Sequence, residues 1–402
     1  MGASDAEGFR SHLLYWRTHV QAPHTMTAYA TGEGTRRYAA RFADSAAAGT
    51  YREPVGCATP QEAAPLLSSI GIGTYLGQPD KATDDAYSAS VIAAVEGGIN
   101  VIDSAINYRF QRSERSIGAA LAKLAKRGFA REELVLCTKG GYLTPDADAP
   151  GNAAAYFANE YLRPGILRTE DIAAGCHAMS PSFLANQLSR SLTNLGVDCI
   201  DVYYVHNPET QLGEVPREEF YRRLRAAFEF LESAVAAGQI RFYGLATWNG
   251  FRQPENAADY VSLTTAEQLA REVGGPMHHF RFVQLPYNLA MTEALTRANQ
   301  PVHGPAVTMI EAAEALGISL IASASLLQGK MAQGLPRFIA EALELHTDAE
   351  RAVQFVRSSP GIASALIGMS SVEHVRANLR LLSESAASAA QFTRLFSRGK
   401  EV

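Results

Sequence analysis

Cysteine is scarce in this chain of 402 residues: Cys57, Cys137, Cys176 and Cys199 are all there is. They form no CxxC pair and no zinc-like spacing, which argues against a metal domain and a disulfide scaffold. Cys137 and Cys199 fall inside apolar runs, as buried thiols of a reducing cytoplasm do. Long hydrophobic runs are missing too, and none would span a bilayer. The start, MGASDAEGFRSHLLYW, has no apolar core behind a basic end, so no secretory signal is expected. Ala6 breaks the myristoylation pattern. Net positive charge is absent. Lys and Arg number 36 against 41 Asp and Glu, giving −5, and such a chain has no bulk field to attract nucleic acid or an anionic membrane. A GxGxxG turn is also lacking, since GIGTYLG has too few glycines at the right spacing for a dinucleotide fold of the Rossmann type. The expectation is a cytoplasmic protein with no nucleic acid and no membrane among its partners. Monomer and homo-oligomer both stay open.

What is present is apolar bulk and rhythm. Hydrophobic residues make up 47% of the chain, and 32 glycines with 18 prolines suit many short connections. From residue 68, short apolar runs alternate with helical patterns, the mark of repeated βα units. Strands are expected at 69–74, 99–103, 133–138, 199–206, 240–246, 280–285, 317–323 and 362–368. Helices are expected near 83–97, 113–126, 181–195, 218–237, 264–273, 307–316, 347–358 and 372–383. Thr83, Ser113, Ser180 and Thr264 read as their caps. The stretch REEFYRRLRAAFEFLESAVAAG reads as an outer helix with a Leu/Phe face. Eight such units point to an α/β fold, a closed (β/α)8 TIM barrel. Residues 1–50 read as a partly helical N-terminal extension and 51–402 as the barrel. The connections 140–180 and 247–279 are too long to be ordinary. Both follow strands, which places them on the C-terminal face where barrel active sites lie.

Chemistry concentrates at the strand ends of that face. The second strand ends at Asp103, and SAINY then brings Tyr108. The third carries Lys139 in CTKGG, and the fourth ends at His206 in YYVHNP. Taken singly, each has a structural alternative: a turn cap, a loop aromatic, a solvated lysine, a core histidine. Together they support carbonyl chemistry. A lysine beside a phenol lowers its pKa from about 10. An aspartate keeps the lysine charged, and a histidine orients the carbonyl oxygen. The tyrosine is then a general acid, and the donors stabilise a developing oxyanion. A hydride from a nicotinamide would complete the reaction.

These segments resemble the aldo/keto reductase family. NVIDSAINYRFQRSERSIGAAL, CTKGG and DVYYVHNP carry the likeness, with GIGTYLG, YGLATWNG, RFVQLPYNL, ASASLLQGK and ALIGMSSVEHVRANL in the right order. It runs from about residue 68 to 383. The resemblance implies NAD(P)H-dependent reduction of an aldehyde or ketone to an alcohol, with Asp103, Tyr108, Lys139 and His206 as catalytic tetrad. It implies NADPH as cofactor, with NADH possible, lying across the C-terminal face. Cofactor contacts are expected from Gly73, Thr74, Tyr75, Thr247, Gln284, Ser323, Ser325, Leu326, Gln328, Gly368, Ser370, His374 and Asn378. The chain departs from the family pattern in three places. Ala246-Thr247 stands where Ser-Asn is frequent. ASASLL offers no aromatic to stack on nicotinamide. Ser370 and His374 stand where basic residues often grip a 2′-phosphate, and Arg376 is the nearby cation. Two further uses of such a barrel stay open: a nicotinamide-sensing subunit with little turnover, and a cofactor-retaining epimerase.

A small-molecule carbonyl substrate is the expected partner. Tyr75, Phe110, Tyr142, Asn207 and Trp248, with Phe251, are expected to line its pocket. His177 and Cys176 in GCHAMS have no matching ligand pair for a metal. His278-His279 reads as a surface turn.

Overall fold

The computed structural model describes residues 29–149 and 151–397. Twelve strands occur among them. β1 (Tyr51–Arg52) and β2 (Leu67–Ser68) form an antiparallel pair. The barrel follows with β3 (Ile70–Gly73), β4 (Val101–Asp103), β5 (Val135–Gly140), β6 (Ile200–His206), β7 (Ile240–Ala246) and β8 (Phe280–Pro286). A second antiparallel pair, β9 (Ala298–Pro301) with β10 (Ala306–Thr308), precedes β11 (Ser319–Ser323) and β12 (Ile362–Gly368). The eight parallel strands close in the order β11-β12-β3-β4-β5-β6-β7-β8. This is the expected (β/α)8 barrel, with strand centres where the apolar runs put them.

Alternation along the strands sorts the core into two shells. Val101, Val135, Cys137, Val202, Tyr204, Phe242, Phe282 and Ile321 pack together inside the barrel, closed below by Ala30, Cys57, Ala64 and Leu67 of the preceding segment. Ile102, Leu136, Tyr203, Val205, Leu245, Val283 and Leu285 face the other way, under helix residues such as Leu124, Leu188, Phe228 and Val356. Helix Arg217–Ala236 buries Phe220, Leu224, Phe228 and Leu231 as its pattern requires. Residues 29–50 hold two short helices, Gly32–Ala39 and Ala43–Ala47. Tyr38 is fully buried there and donates its hydroxyl to the Val95 carbonyl. Residues 1–28 of the expected extension lie outside the described residues.

Several local expectations need correction. Asp80, not Thr83, caps helix Lys81–Glu96, accepting from the Thr83 amide at 2.8 Å. Ser113 lies inside helix Arg112–Lys126, its hydroxyl engaged with Thr74 Oγ1 at 2.6 Å. Ser262 caps helix Leu263–Gly274, while Thr264 donates to the Pro301 carbonyl. Ser180 stands at a cap position but makes no capping bond; Pro181 at the first helical position removes one amide that would need it. His278 is buried against Glu267 and Arg281, not on a surface turn. Among the described residues no helix is long and apolar enough to cross a membrane, and no group of His, Cys, Asp or Glu could hold a metal ion.

Candidate active site

The inward rows of the barrel end in polar groups. Two residues beyond Val101, Cys137, Tyr204 and Phe282 come Asp103, Lys139, His206 and Gln284, on the same inward side by the period of two. Register steps them around the rim: Asp103 pairs with Cys137 and Lys139 with Tyr204, so Lys139 and His206 each stand two residues further along their strands, while His206, Ala246 and Gln284 are in register. Lys139 is buried, and its Nζ lies 2.6 Å from Asp103 Oδ2, 2.6 Å from the Ser104 carbonyl and 3.3 Å from the Tyr108 hydroxyl. Gln284 Nε2 donates to Asp103 Oδ1 at 2.8 Å. The His206 ring stands 5.9 Å from that of Tyr108, edge-on, and its Nδ1 is buried with no partner.

Tyr108 reaches the cluster from the loop after β4. The Ser104 and Ile106 amides donate to the Cys137 and Lys139 carbonyls, so the loop leans on β5. Arg109, Phe110 and Gln111 then follow in left-handed conformation, φ 49°, 55° and 74°. Such a run costs roughly 1–2 kcal/mol per residue and needs clamps. Arg109 is buried over the Tyr87 ring and pairs with Asp84. Gln111 donates to the Tyr156 hydroxyl of the long insertion at 3.2 Å.

Burial opposes every charge here. It works against the Lys139 ammonium, but the Asp103 carboxylate and the Tyr108 hydroxyl outweigh it and hold the lysine pKa above its ordinary value. Burial raises the Asp103 carboxyl above its ordinary value, and Lys139 and Gln284 offset this only in part; the 2.6 Å contact with Lys139 has ion-pair geometry. The expected acidification of the phenol is reversed in direction. Burial raises Tyr108 above its ordinary value, and Lys139 pulls it down only in part. Burial, Lys139 and His177 together push His206 well below the usual imidazole range, so it is neutral at working pH.

The remaining expected residues divide. Tyr75, Phe110 and Trp248 are exposed on the C-terminal face, and Tyr75 packs edge-on against Tyr108 at 4.9 Å. Tyr142 stands edge-on to His206 at 5.1 Å and accepts from Asn207 Nδ2 at 3.0 Å. Phe251 is fully buried in the core and lines no open pocket. Gly73 and Gly368 are paired in register at the rim. Thr74 is turned inward, its hydroxyl on the Asp103 carbonyl. Thr247 Oγ1 and Ser325 Oγ are buried without partners. Each such donor lacks about 1–3 kcal/mol of satisfaction, which fits a polar ligand lying between the ends of β7 and β11, with Gln284 between them. Ser323 ends β11, Leu326 is half-buried, Gln328 is exposed, and Ala324, Leu327 and Gln328 are left-handed. Ser370 is half-exposed and His374 exposed at the start of helix Val372–Leu379. The Asn378 amide is engaged by its own helix, on the His374 carbonyl at 2.8 Å. Arg376 lines an outer groove with Asp85, Glu96 and Lys123, away from the barrel mouth.

Sequence reading missed three residues that support this site. Glu209 is buried, and its Oε1 accepts from the amides of Trp248 at 2.7 Å and Asn249 at 2.9 Å. His177 is buried with its Nε2 on the His206 carbonyl, and Gln211 is buried behind His177. Glu209 and Gln211 had one weak signal, polar residues directly after a strand-end histidine. His177 stands in an insertion without a pattern.

Comparison with known proteins bears on the family and the fold. The model of the aldo/keto reductase family matches residues 69–397. The Schizosaccharomyces pombe aldo-keto reductase yakc, whose name carries NADP(+), is 29% identical over 163 residues, 40% of this chain and 37% of its own length. The NADH-specific methylglyoxal reductase of Escherichia coli K12 is 28% identical over 185 residues, 45% of this chain and 48% of its own. The matches thus span less than half the length of these curated relatives. A solved aldo/keto reductase from Klebsiella pneumoniae, in complex with NADP and acetate, shares the fold with a TM-score of 0.56 at 20% identity, covering 86% of this chain and 94% of that one. A family match across the whole barrel means that this chain belongs to the aldo/keto reductase family.

Proposed function

We propose that this chain reduces an aldehyde or ketone to an alcohol, with Tyr108 as proton donor. The observation that carries the reading is the Lys139 ammonium held between the Asp103 carboxylate at 2.6 Å and the Tyr108 hydroxyl at 3.3 Å. A bound nicotinamide dinucleotide supplies the hydride. Tyr108 donates its phenolic proton to the carbonyl oxygen as negative charge develops there. The raised phenol pKa keeps that proton in place at neutral pH. The phenolate left behind is stabilised by Lys139, and solvent restores its proton. Neutral His206 donates a hydrogen bond that orients the substrate oxygen.

Thr247, Gln284 and Ser325 are the polar contacts we assign to the nicotinamide end. Arg376, the arginine nearest to Ser370 and His374 in sequence, lines the outer groove with Asp85, Glu96 and Lys123, so we assign no bidentate arginine fork to the adenosine end. We take NADPH as the coenzyme, with NADH accepted. Tyr75, Phe110 and Trp248 favour an apolar carbonyl substrate.

Oxidation of NADPH and NADH, followed across aldehydes, ketones and quinones, tests the proposal. We expect turnover with at least one class, and a fall of about 100- to 10,000-fold in Tyr108→Phe with coenzyme affinity unchanged. No oxidation with any carbonyl would overturn it, as would a Tyr108→Phe variant equal to wild type.

A further inference from the structure

The His177 side chain sits in a chain of hydrogen bonds whose donors are fixed one after another. Glu219 Oε1 accepts from Arg223 Nε at 2.8 Å. Arginine can only donate, so its Nη1, 2.6 Å from Gln211, meets the amide oxygen of that residue. The Gln211 amide nitrogen therefore faces His177 Nδ1, at 3.0 Å, and the His177 carbonyl, at 3.2 Å. His177 Nδ1 is then an acceptor, the proton is on Nε2, and Nε2 donates to the His206 carbonyl at 2.7 Å. A second observation is independent of this order. Gly141 has φ +140°, and a Cβ built there would stand 2.9 Å from His177 Nε2 and 3.0 Å from the His206 carbonyl oxygen. The backbone has been cleared for this one contact.

His206 itself has no side-chain hydrogen bond to hold its ring among the described residues; Nδ1 is buried without one. Its placement depends on its backbone and on the rings of Tyr108 and Tyr142. Tyr142 is edge-on to His177 as well, at 5.4 Å. Directly after His206, Asn207 turns left-handed at φ 43°.

Building on the carbonyl-reductase reading, we propose that His177 is a positioning residue for His206: its Nε2–H on the His206 carbonyl, with Gln211 behind it, locks the strand end that aims the His206 imidazole. The 140–180 insertion is thereby part of the active-site framework. Displacing a reacting group by about 1 Å is worth about 100-fold in rate, which sets the scale of the effect.

Two measurements test this. The 15N imidazole spectrum of the ligand-free wild type should show His177 with a protonated Nε2 and a bare Nδ1. The opposite tautomer overturns the proposal whatever reaction the protein performs. His177→Met removes the donor, and Gly141→Ala wedges the contact apart. Each should lower kcat about 10- to 100-fold with coenzyme Kd unchanged. His177→Gln places an amide N–H near the Nε2 position and should recover most of the loss, which a merely space-filling role would not produce. A His177→Met variant with wild-type kcat overturns the proposal, while loss of turnover in Tyr108→Phe keeps the reductase reading intact. A fully active Tyr108→Phe overturns that reading, and the positioning role with it.

Discussion

Lys139 is the residue on which the site turns, and its energetics are those of a buried ion pair. Removing one partner leaves the other charge buried and alone, at a cost of about 3–5 kcal/mol. Asp103→Asn and Lys139→Met should therefore each destabilise the fold by about that amount. The double variant should be less destabilised than the sum, because no charge is left stranded. Urea unfolding of the four proteins gives the coupling, and additive losses would mean that the 2.6 Å contact is not an ion pair in solution. The cluster was legible in the sequence because Asp103, Lys139 and His206 each end an apolar run whose period of two dictates its direction, and Tyr108 follows the first of these in SAINY. The sign of the Tyr108 shift was not, because desolvation depends on how closely distant segments crowd the phenol. Trp248 belongs to this scale too. Its exposed ring at the mouth predicts that Trp248→Ala raises KM for bulky aromatic carbonyls several-fold more than for small ones, and equal effects on both would place it outside the pocket.

Among the elements, the short turn Pro208–Gly213 after β6 carries more than its length suggests. Gln211 faces the insertion after β5, and Glu209 faces the loop after β7 through the amides of Trp248, Asn249 and Gly250. Burial pushes the Glu209 carboxyl up, and those three amides oppose the shift. Glu209→Ala leaves the amides without an acceptor and should cost about 3 kcal/mol. It should also speed hydrogen exchange at Trp248 and Gly250, and unchanged exchange there would remove Glu209 from this role. The barrel strands were readable as elements because parallel strands buried on both faces show as continuous apolar runs. The pair β9 and β10 was not, since ANQP and AVT are too short and polar to stand out. Thr83, Ser113 and Thr264 were misread as caps because a hydroxyl near a helix start can serve tertiary partners instead, as Ser113 serves Thr74.

At the scale of the whole molecule, His177 and His278 join His206, among the described residues, as histidines that burial keeps neutral. Burial lowers His177 and His278 to about 4. His177 faces Gln211, Tyr142 and the His206 carbonyl. His278 faces Glu267 and Arg281, with Glu232 acting on it from farther off. The unfolded chain takes up a proton near pH 6.5 that the folded state refuses until about pH 4. Their contribution is complete above pH 6.5 and is lost as pH falls through that window, at up to about 1.4 kcal/mol per unit for each histidine. Urea midpoints between pH 7 and 4.5 should fall accordingly, and His177→Gln should flatten the slope; an unchanged slope would mean that His177 titrates normally. This lay beyond sequence reading, because burial of an insertion histidine is set by what packs on it and not by its neighbours in the chain.

The most direct test of the central claim follows the hydride and the proton together. A coenzyme carrying deuterium at the transferable C4 position of the nicotinamide, incubated with a turned-over ketone, should yield an alcohol with one deuterium on the carbinol carbon, and Tyr108→Phe should form that product about 100-fold more slowly or worse. An alcohol free of deuterium, or labelled product formed by Tyr108→Phe at the wild-type rate, would contradict the account.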